Sequence, residues 1–298
     1  MLHLSDDQVR TLLPTPARAV ELMHETLLAL ADGSASVTPK SQVEHEEGGF
    51  ANAMPATWPE RGLLGIKWVT ITPSNLEQGQ EMIDGLMVLS GSDGSTRATM
   101  DAAELTALRT AAVTGASLAL DDRPVTFLGT GVQARSHARV IEALGRGPLT
   151  VWGRRAEALE ELTAWCAEHT PTLELRTTTD RAEALTGAGV VISGLPIGLT
   201  DTALSPGDVA PDATLLPLDY ASVVAAEIAR TGTLVADDPE QFEALRPVKL
   251  GEDYPRATGA TGDLLRQGRP EGLVIAQNLG SGLGDVVLAD AVARAAEA

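Results

Sequence analysis

Four groups of residues in this 298-residue chain have types and spacings that could do chemistry. The hexapeptide Gly129-Thr130-Gly131-Val132-Gln133-Ala134 reads G-x-G-x-x-A. It follows the apolar run Val125-Thr126-Phe127-Leu128 and opens a helical run. In that setting Gly129 permits a tight turn and Gly131 lets backbone approach a pyrophosphate. Ala134 is small enough for helix to pack on strand, and the helix N-terminus offers free N–H groups to an anion. The same residues would also serve as a simple glycine turn. Lys67 lies inside the apolar run Gly65-Ile66-Lys67-Trp68-Val69 and faces either solvent or a site. Arg109 lies in the nearly uncharged stretch Leu105-Thr106-Ala107-Leu108-Arg109-Thr110-Ala111-Ala112. A guanidinium there needs an anion, either a structural Asp or a substrate carboxylate. Asp219 follows the run 214–218, at the carboxyl end of an expected parallel strand, where doubly wound sheets bind ligands. A plain turn Asp would look the same.

The next expected strand, 149–152, ends in Gly153-Arg154-Arg155. Enzymes that take NAD place an acidic residue there for the ribose 2′-hydroxyl. A carboxylate repels a 2′-phosphate, whereas arginine pairs with it through two hydrogen bonds. The pattern therefore favours NADP(H) over NAD(H).

The elements that must position these residues fall into two textures. Ser5 with Gln8 makes a capping-box pattern, and Thr15-Pro16 opens a helix whose Val20, Met23, Leu27 and Leu30 keep helical spacing up to Gly33. Short apolar runs separated by turn signals then predict strands of a mixed or antiparallel sheet from 37 to 89, before a helix over 102–120. After Asp121-Asp122-Arg123-Pro124 strands alternate with helices: strands at 125–128, 149–152, 173–175, 190–192, 214–218 and 233–235, helices at 134–144 and 156–168. That alternation predicts an α/β fold with a Rossmann-type doubly wound parallel sheet. The Ala-rich helical tail 285–298 is expected to return to the first domain. The expected division is thus a discontinuous α+β domain of residues 1–120 plus 275–298, and a dinucleotide-binding domain of residues 121–274.

Composition excludes several functions. The net charge is −19, which should repel nucleic-acid backbones and anionic membranes. The single cysteine, Cys166, reads as a buried thiol in a helix, forms no intrachain disulfide and suits a reducing, cytoplasmic compartment. The N-terminus has neither a basic stretch nor an apolar run, so no signal peptide is expected. No segment approaches the ~20 apolar residues of a membrane span. The five histidines are scattered without ligand spacing, and His45, in Glu44-His45-Glu46-Glu47, reads as part of a solvated charged loop, so no metal is expected.

Together these segments resemble the ornithine cyclodeaminase/μ-crystallin family. The likeness is carried by Met54-Pro55-Ala56, by Gly65–Val69, and by Ala98-Thr99-Met100-Asp101 leading into Leu105–Ala112. It extends to the 129–134 hexapeptide and the tail Asn278-Leu279-Gly280-Ser281-Gly282-Leu283-Gly284-Asp285-Val286. The resemblance implies a homodimer whose discontinuous domain binds substrate and dimerises. It implies that Lys67 and Arg109 face the substrate, Arg109 pairing with its carboxylate, and that Lys40 falls where the family has a second carboxylate-binding arginine. Lysine keeps the charge but loses the fork. Thr110 and Ser193 are grouped with Gly129–Ala134, Arg154 and Arg155 as cofactor-binding. Asp219 falls where cyclodeaminases carry their acid/base aspartate. However, the family's Asp-x-Pro-Gly-Lys is here Asp219-Tyr220-Ala221-Ser222-Val223, and the segment 79–84 lacks the usual small hydroxylated side chain. Both departures point away from ornithine.

The expected activity is therefore an NADP(H)-dependent reductase or dehydrogenase acting on an imine or α-amino acid at Cα. Lys67 and Asp219 would be catalytic, Lys40 and Arg109 substrate-binding. A cyclodeaminase that recycles its cofactor and a non-catalytic binding protein of the same fold are the alternatives.

Overall fold

The computed structural model describes all residues except 197, 198 and 200, with 76 and 77 described in backbone only. In chain order the elements are β1 (Leu2–Leu4), α1 (Asp6–Leu12), α2 (Pro16–Asp32), β2 (Ser36–Val37), β3 (Ser41–Glu46), β4 (Gly49–Trp58), β5 (Leu63–Ile71), β6 (Ile83–Ser90), β7 (Thr96–Asp101) and α3 (Ala103–Ser117). They continue with β8 (Val125–Leu128), α4 (Val132–Ala143), β9 (Leu149–Trp152), α5 (Ala156–His169), β10 (Leu175–Thr178), α6 (Arg181–Leu185), β11 (Val190–Ser193) and β12 (Thr214–Pro217). The last are α7 (Ala226–Ala229), β13 (Thr233–Ala236), α8 (Pro239–Leu245), α9 (Thr261–Gln267), β14 (Val274–Gln277) and α10 (Gly282–Glu297). Two compact units result: Met1–Arg109 with Gly280–Ala298, and Thr110–Leu279.

The first unit is a largely antiparallel sheet in the order β1-β7-β6-β5-β4-β2, with β3 also paired to β4. Local signals start its helices as expected. The Gln8 side chain accepts from Ser5 N at 3.0 Å, Thr15 Oγ1 accepts from Arg18 N at 3.3 Å, and Gly33 ends α2 at φ 75°. α10 packs on β4, β5 and α2, so the C-terminal tail completes this unit. Two glycines bring it close. A Cβ on Gly65 would lie 3.0 Å from Val286 Cγ2, and one on Gly282 would lie 2.4 Å from the Met54 carbonyl. His45 differs from expectation: it stands in strand β3, whose register runs from Ser41 opposite Ala53 to Glu46 opposite Gly49. The strand is polar because it lies at an exposed edge.

The second unit is a parallel sheet ordered β10-β9-β8-β11-β12-β14-β13. From β8 the chain builds outward to β9 and β10, then crosses to the other side of β8 for β11. The point where the order reverses, between β8 and β11, is where open parallel sheets bind ligands. The expected strand at 173–175 is instead β10 at Leu175–Thr178, pairing Leu175 with Leu149 through Thr178 with Trp152. As a half-exposed edge strand it is defined by its ladder rather than by an apolar run. The sequence boundary at 120/121 also differs from the observed division at 109/110. α3 runs through the division, and no break in helical pattern marks it. Cys166 is buried. No helix among the described residues is long and apolar enough to cross a membrane.

Candidate active site

In the first unit, strand parity decides where Lys67 goes. Leu63, Lys67 and Val69 share the face of β5 that α10 covers, while Leu64 and Trp68 face outward. Lys67 is therefore buried, only 1% exposed. Helical parity does the same for Arg109: Ala102, Leu105, Arg109 and Ala112 form one buried stripe. Between the two cations stands Asp285, in the first turn of α10 and fully buried. Its Oδ1 accepts from Lys67 Nζ at 2.9 Å and from Arg109 Nε at 2.9 Å. Lys67 Nζ also donates to Thr106 Oγ1 at 3.3 Å. Asp285 Oδ2 has no hydrogen-bond partner among the described residues.

One carboxylate thus serves two buried cations. Arg109 and Lys67 hold the Asp285 carboxyl below its ordinary range despite its burial. For Lys67 burial dominates and Arg109 repels, outweighing Asp285, so its ammonium is pulled down to about 7. An amine that titrates near neutrality can give or take a proton at physiological pH. Lys40, in the segment after β2, is half-buried and close enough to add to the positive field on Lys67.

In the second unit, the glycine-rich turn sits at the carboxyl end of β8. Gly129 N donates to the Trp152 carbonyl at 2.9 Å, and Gly129 adopts φ 128°, where side-chain-bearing residues are strained. A Cβ there would lie 2.8 Å from the Gly194 carbonyl, so the chain after β8 and the chain after β11 approach as only glycine allows. Gly131 caps α4, and a Cβ added to it would meet nothing within 4 Å. Val132 is exposed, Ala134 is buried against the sheet, and the buried Gln133 Oε1 has no hydrogen-bond partner among the described residues. An open backbone at a helix N-terminus and an unspent acceptor fit a dinucleotide pyrophosphate and its neighbouring groups. Thr130 packs over Gly153, where a Cβ would lie 2.5 Å from its Cγ2. Arg154 and Arg155 follow β9 directly and are exposed, with Arg154 reaching Asp201 only at 4.0 Å. Thr110, in α3, is half-buried.

Asp219 follows β12 and is 1% exposed. Its Oδ1 accepts from Ser193 Oγ at 2.9 Å and its Oδ2 from Leu195 N at 3.1 Å. The Ser193 hydroxyl is therefore committed to Asp219. Burial pushes the Asp219 carboxyl up from 3.8 to about 6, against the opposing hydrogen bonds. The expected residues thus assemble as two sets, each within its own unit: Lys67 and Arg109 in one, the glycine turn with Ser193 and Asp219 in the other.

Asp285 received no role from the sequence. It carries the same signal as Arg109, because a carboxylate within an apolar, Ala-rich helix also needs a buried partner. Thr106 was missed too, since a threonine in a helix carries no such signal.

The folded chain favours protonated Asp219, so this group contributes stability that is full below its unfolded value of 3.8 and is lost as pH rises through about 6. Asp219→Asn removes that loss. Urea unfolding should therefore show the variant gaining on the parent protein between acid and neutral pH, by up to about 3 kcal/mol. A difference between the two that does not change with pH would show that Asp219 is an ordinary carboxylate.

Alanine dehydrogenase of Archaeoglobus fulgidus is 32% identical over 176 residues, 56% of this chain and 52% of that protein. Delta(1)-pyrroline-2-carboxylate reductase 2 of Burkholderia ambifaria is 30% identical over 168 residues, 54% of this chain and 52% of that protein. The chain thus spans about half the length of the curated relatives it matches. An archaeal alanine dehydrogenase dimer with bound NAD shares the fold, with a TM-score of 0.85 over 100% of this chain and 96% of that one at 24% identity. A family model matches residues 4–213, and the chain belongs to the ornithine cyclodeaminase/mu-crystallin family.

Proposed function

We propose that the protein is an oxidoreductase on C–N bonds, an NADP(H)-dependent reductase or dehydrogenase that acts at the Cα of an imine or α-amino acid. The observation that carries this reading is the pair of buried cations, Lys67 and Arg109, sharing the single carboxylate of Asp285. When Lys67 is protonated the cluster has one positive charge in excess, which suits a substrate carboxylate. The names of two relatives, an alanine dehydrogenase and a pyrroline-carboxylate reductase, describe substrates that carry one.

The nicotinamide group, when bound, supplies or accepts the hydride. Gly129–Ala134 and the start of α4 would hold its pyrophosphate, and Thr110 and Ser193, in the same unit, would be further cofactor contacts. Arg109 would hold the substrate carboxylate through the N–H groups that Asp285 does not use, and Lys40 would add charge. Lys67, titrating near neutrality, would give or take a proton beside that carboxylate. Asp219, with its carboxyl raised to about 6, would hold or move the amine proton. Its hydrogen bonds to Ser193 and Leu195 N keep it in one rotamer and away from bulk water. One cysteine and no membrane-length helix among the described residues suit a cytoplasmic setting.

The exposed apolar face of the first unit's sheet, with Leu64 and Trp68 42% exposed and Leu86 43% exposed, supports a homodimer built on this unit. Trp68→Asp with Leu86→Asp should give a monomer by sedimentation. A parent protein that sediments as a monomer would end the dimer reading.

Arg154 and Arg155 support NADPH over NADH. Replacing both by Ala should weaken NADPH binding by roughly 1.5–3 kcal/mol per charged pair lost and leave NADH binding little changed. Equal titration curves for both cofactors on the parent protein would remove the basis for that preference.

Turnover stoichiometry tests the activity itself. A cyclic imine carboxylate, or a 2-oxo acid with an amine, should consume NADPH one for one, and Arg109→Lys should raise KM sharply because a point charge replaces a fork. Ammonia and proline formed from ornithine, with cofactor needed only in catalytic amount, would instead make the protein a cyclodeaminase.

A further inference from the structure

The chain delivers Asp285 to Lys67 and Arg109 by an unusual route. Residues 280–285 read Gly-Ser-Gly-Leu-Gly-Asp. A side chain would collide with a neighbour at Gly280 and Gly282 and would crowd one at Gly284. A Cβ on Gly280, which sits at φ 78°, would lie 2.7 Å from an Arg109 terminal nitrogen. One on Gly284 would lie 3.1 Å from Arg109 Cδ, and one on Gly282 would strike the Met54 backbone. Backbone therefore wraps the guanidinium closely, and the helix that starts there places a carboxylate 2.9 Å from both cations. The partners lie 218 and 176 residues away in sequence. A device that only neutralised Arg109 would have no need to bring the same carboxylate oxygen within 2.9 Å of Lys67 Nζ.

We propose that Asp285 is a positioning residue of the reaction: through one carboxylate oxygen it fixes Lys67 and Arg109 as one unit and sets how readily Lys67 parts with its proton. The role in the reaction rests on the functional reading above; the coupling of Asp285 to Lys67 does not. The charged groups that act on Lys67 are Asp285 from α10, Arg109 from α3 and Lys40 from the segment after β2. Asp285 alone among them favours the ammonium. Without it, burial and two like charges act unopposed, and the amine should be neutral at physiological pH.

The chain has three lysines, Lys40, Lys67 and Lys249, so lysine side-chain NMR is tractable on the full-length protein. With lysine labelled in 13C and 15N, the Lys67 signal is assigned by its loss in Lys67→Gln. In the parent protein it should titrate near neutrality. In Asp285→Asn its midpoint should fall by about one pH unit or more. Asp285→Glu, which keeps the charge, should recover part of that fall. A midpoint unchanged in folded Asp285→Asn, or an ordinary lysine midpoint in the parent protein, would overturn the proposal. Should Asp285→Asn fail to fold, the unmodified protein still decides. In protein labelled uniformly with 13C and 15N, slightly below neutral pH, Lys67 Nζ should show a scalar coupling across the hydrogen bond to an aspartate carboxyl carbon, and its absence would overturn the proposal equally. The alkaline or neutral limb of kcat/KM against pH should move with the Lys67 midpoint. Should no imine or amino acid be turned over at all, the functional reading fails while the titration still judges Asp285.

Discussion

Two cations taken out of water within one packed layer demand an anion at bonding distance, and most of the first unit's construction answers that demand. The desolvation penalty is several kcal/mol per ion, and removing the anion from such a cluster typically costs about 3–5 kcal/mol. Asp285 meets the demand only because α10 lies close on β4 and β5, and α10 lies close only because Gly65 and Gly282 have no side chains to hold it off. The sheet supplies Lys67, the helix after β7 supplies Arg109 and the last helix supplies the carboxylate. A change at any one of the three contacts is felt by the other two, which is the non-additive behaviour expected of a shared partner.

The second unit solves a different problem, how to present backbone N–H groups to an anion without filling the space in front of them. Gly129 at φ 128° and the close passage of Gly194 fold the two strand ends against each other. Gly131 leaves the α4 N-terminus open. Beside this turn, burial rather than a neighbouring charge raises the Asp219 carboxyl, while Ser193 and the Leu195 amide hold it in place. Asp219 and Lys67 therefore move toward neutrality from opposite directions and for the same reason: each is a charge that the fold partly denies to water. Carboxyl and amine groups tuned in this way cluster at sites of proton transfer, and structural ion-pair networks tune them as well.

Much of this is legible in the sequence. The strand–turn–helix at 125–134 announces itself because apolar run, glycine spacing and helical run must follow in that order for the turn to work. Arg109 could be read as needing an anion because the helix around it is nearly uncharged, and the buried stripe through Ala102, Leu105 and Ala112 follows from helical period alone. The alternation after residue 121 predicts the parallel sheet for the same local reason. Edge strands were less legible. β3 and β10 are half exposed, so their sequences lack the apolar runs by which inner strands are read, and only pairing defines them.

The sequence by itself determined which residues could do chemistry and which local element each occupies, because turn geometry and hydrophobic period are properties of a few neighbouring residues. Only the tertiary structure decided who their partners are. Lys67 on an alternating strand could point to solvent or inward with the same pattern, and packing of α10 on that face settles it. Arg109 had two possible anions, and the fold supplies Asp285 as one. The Ser193 hydroxyl is held by Asp219 because parallel register sets β11 beside β12, pairing Ser193 with Pro217. Contacts across 26, 176 and 218 residues of chain carry no local signal, since they exist only once separate elements have been brought together.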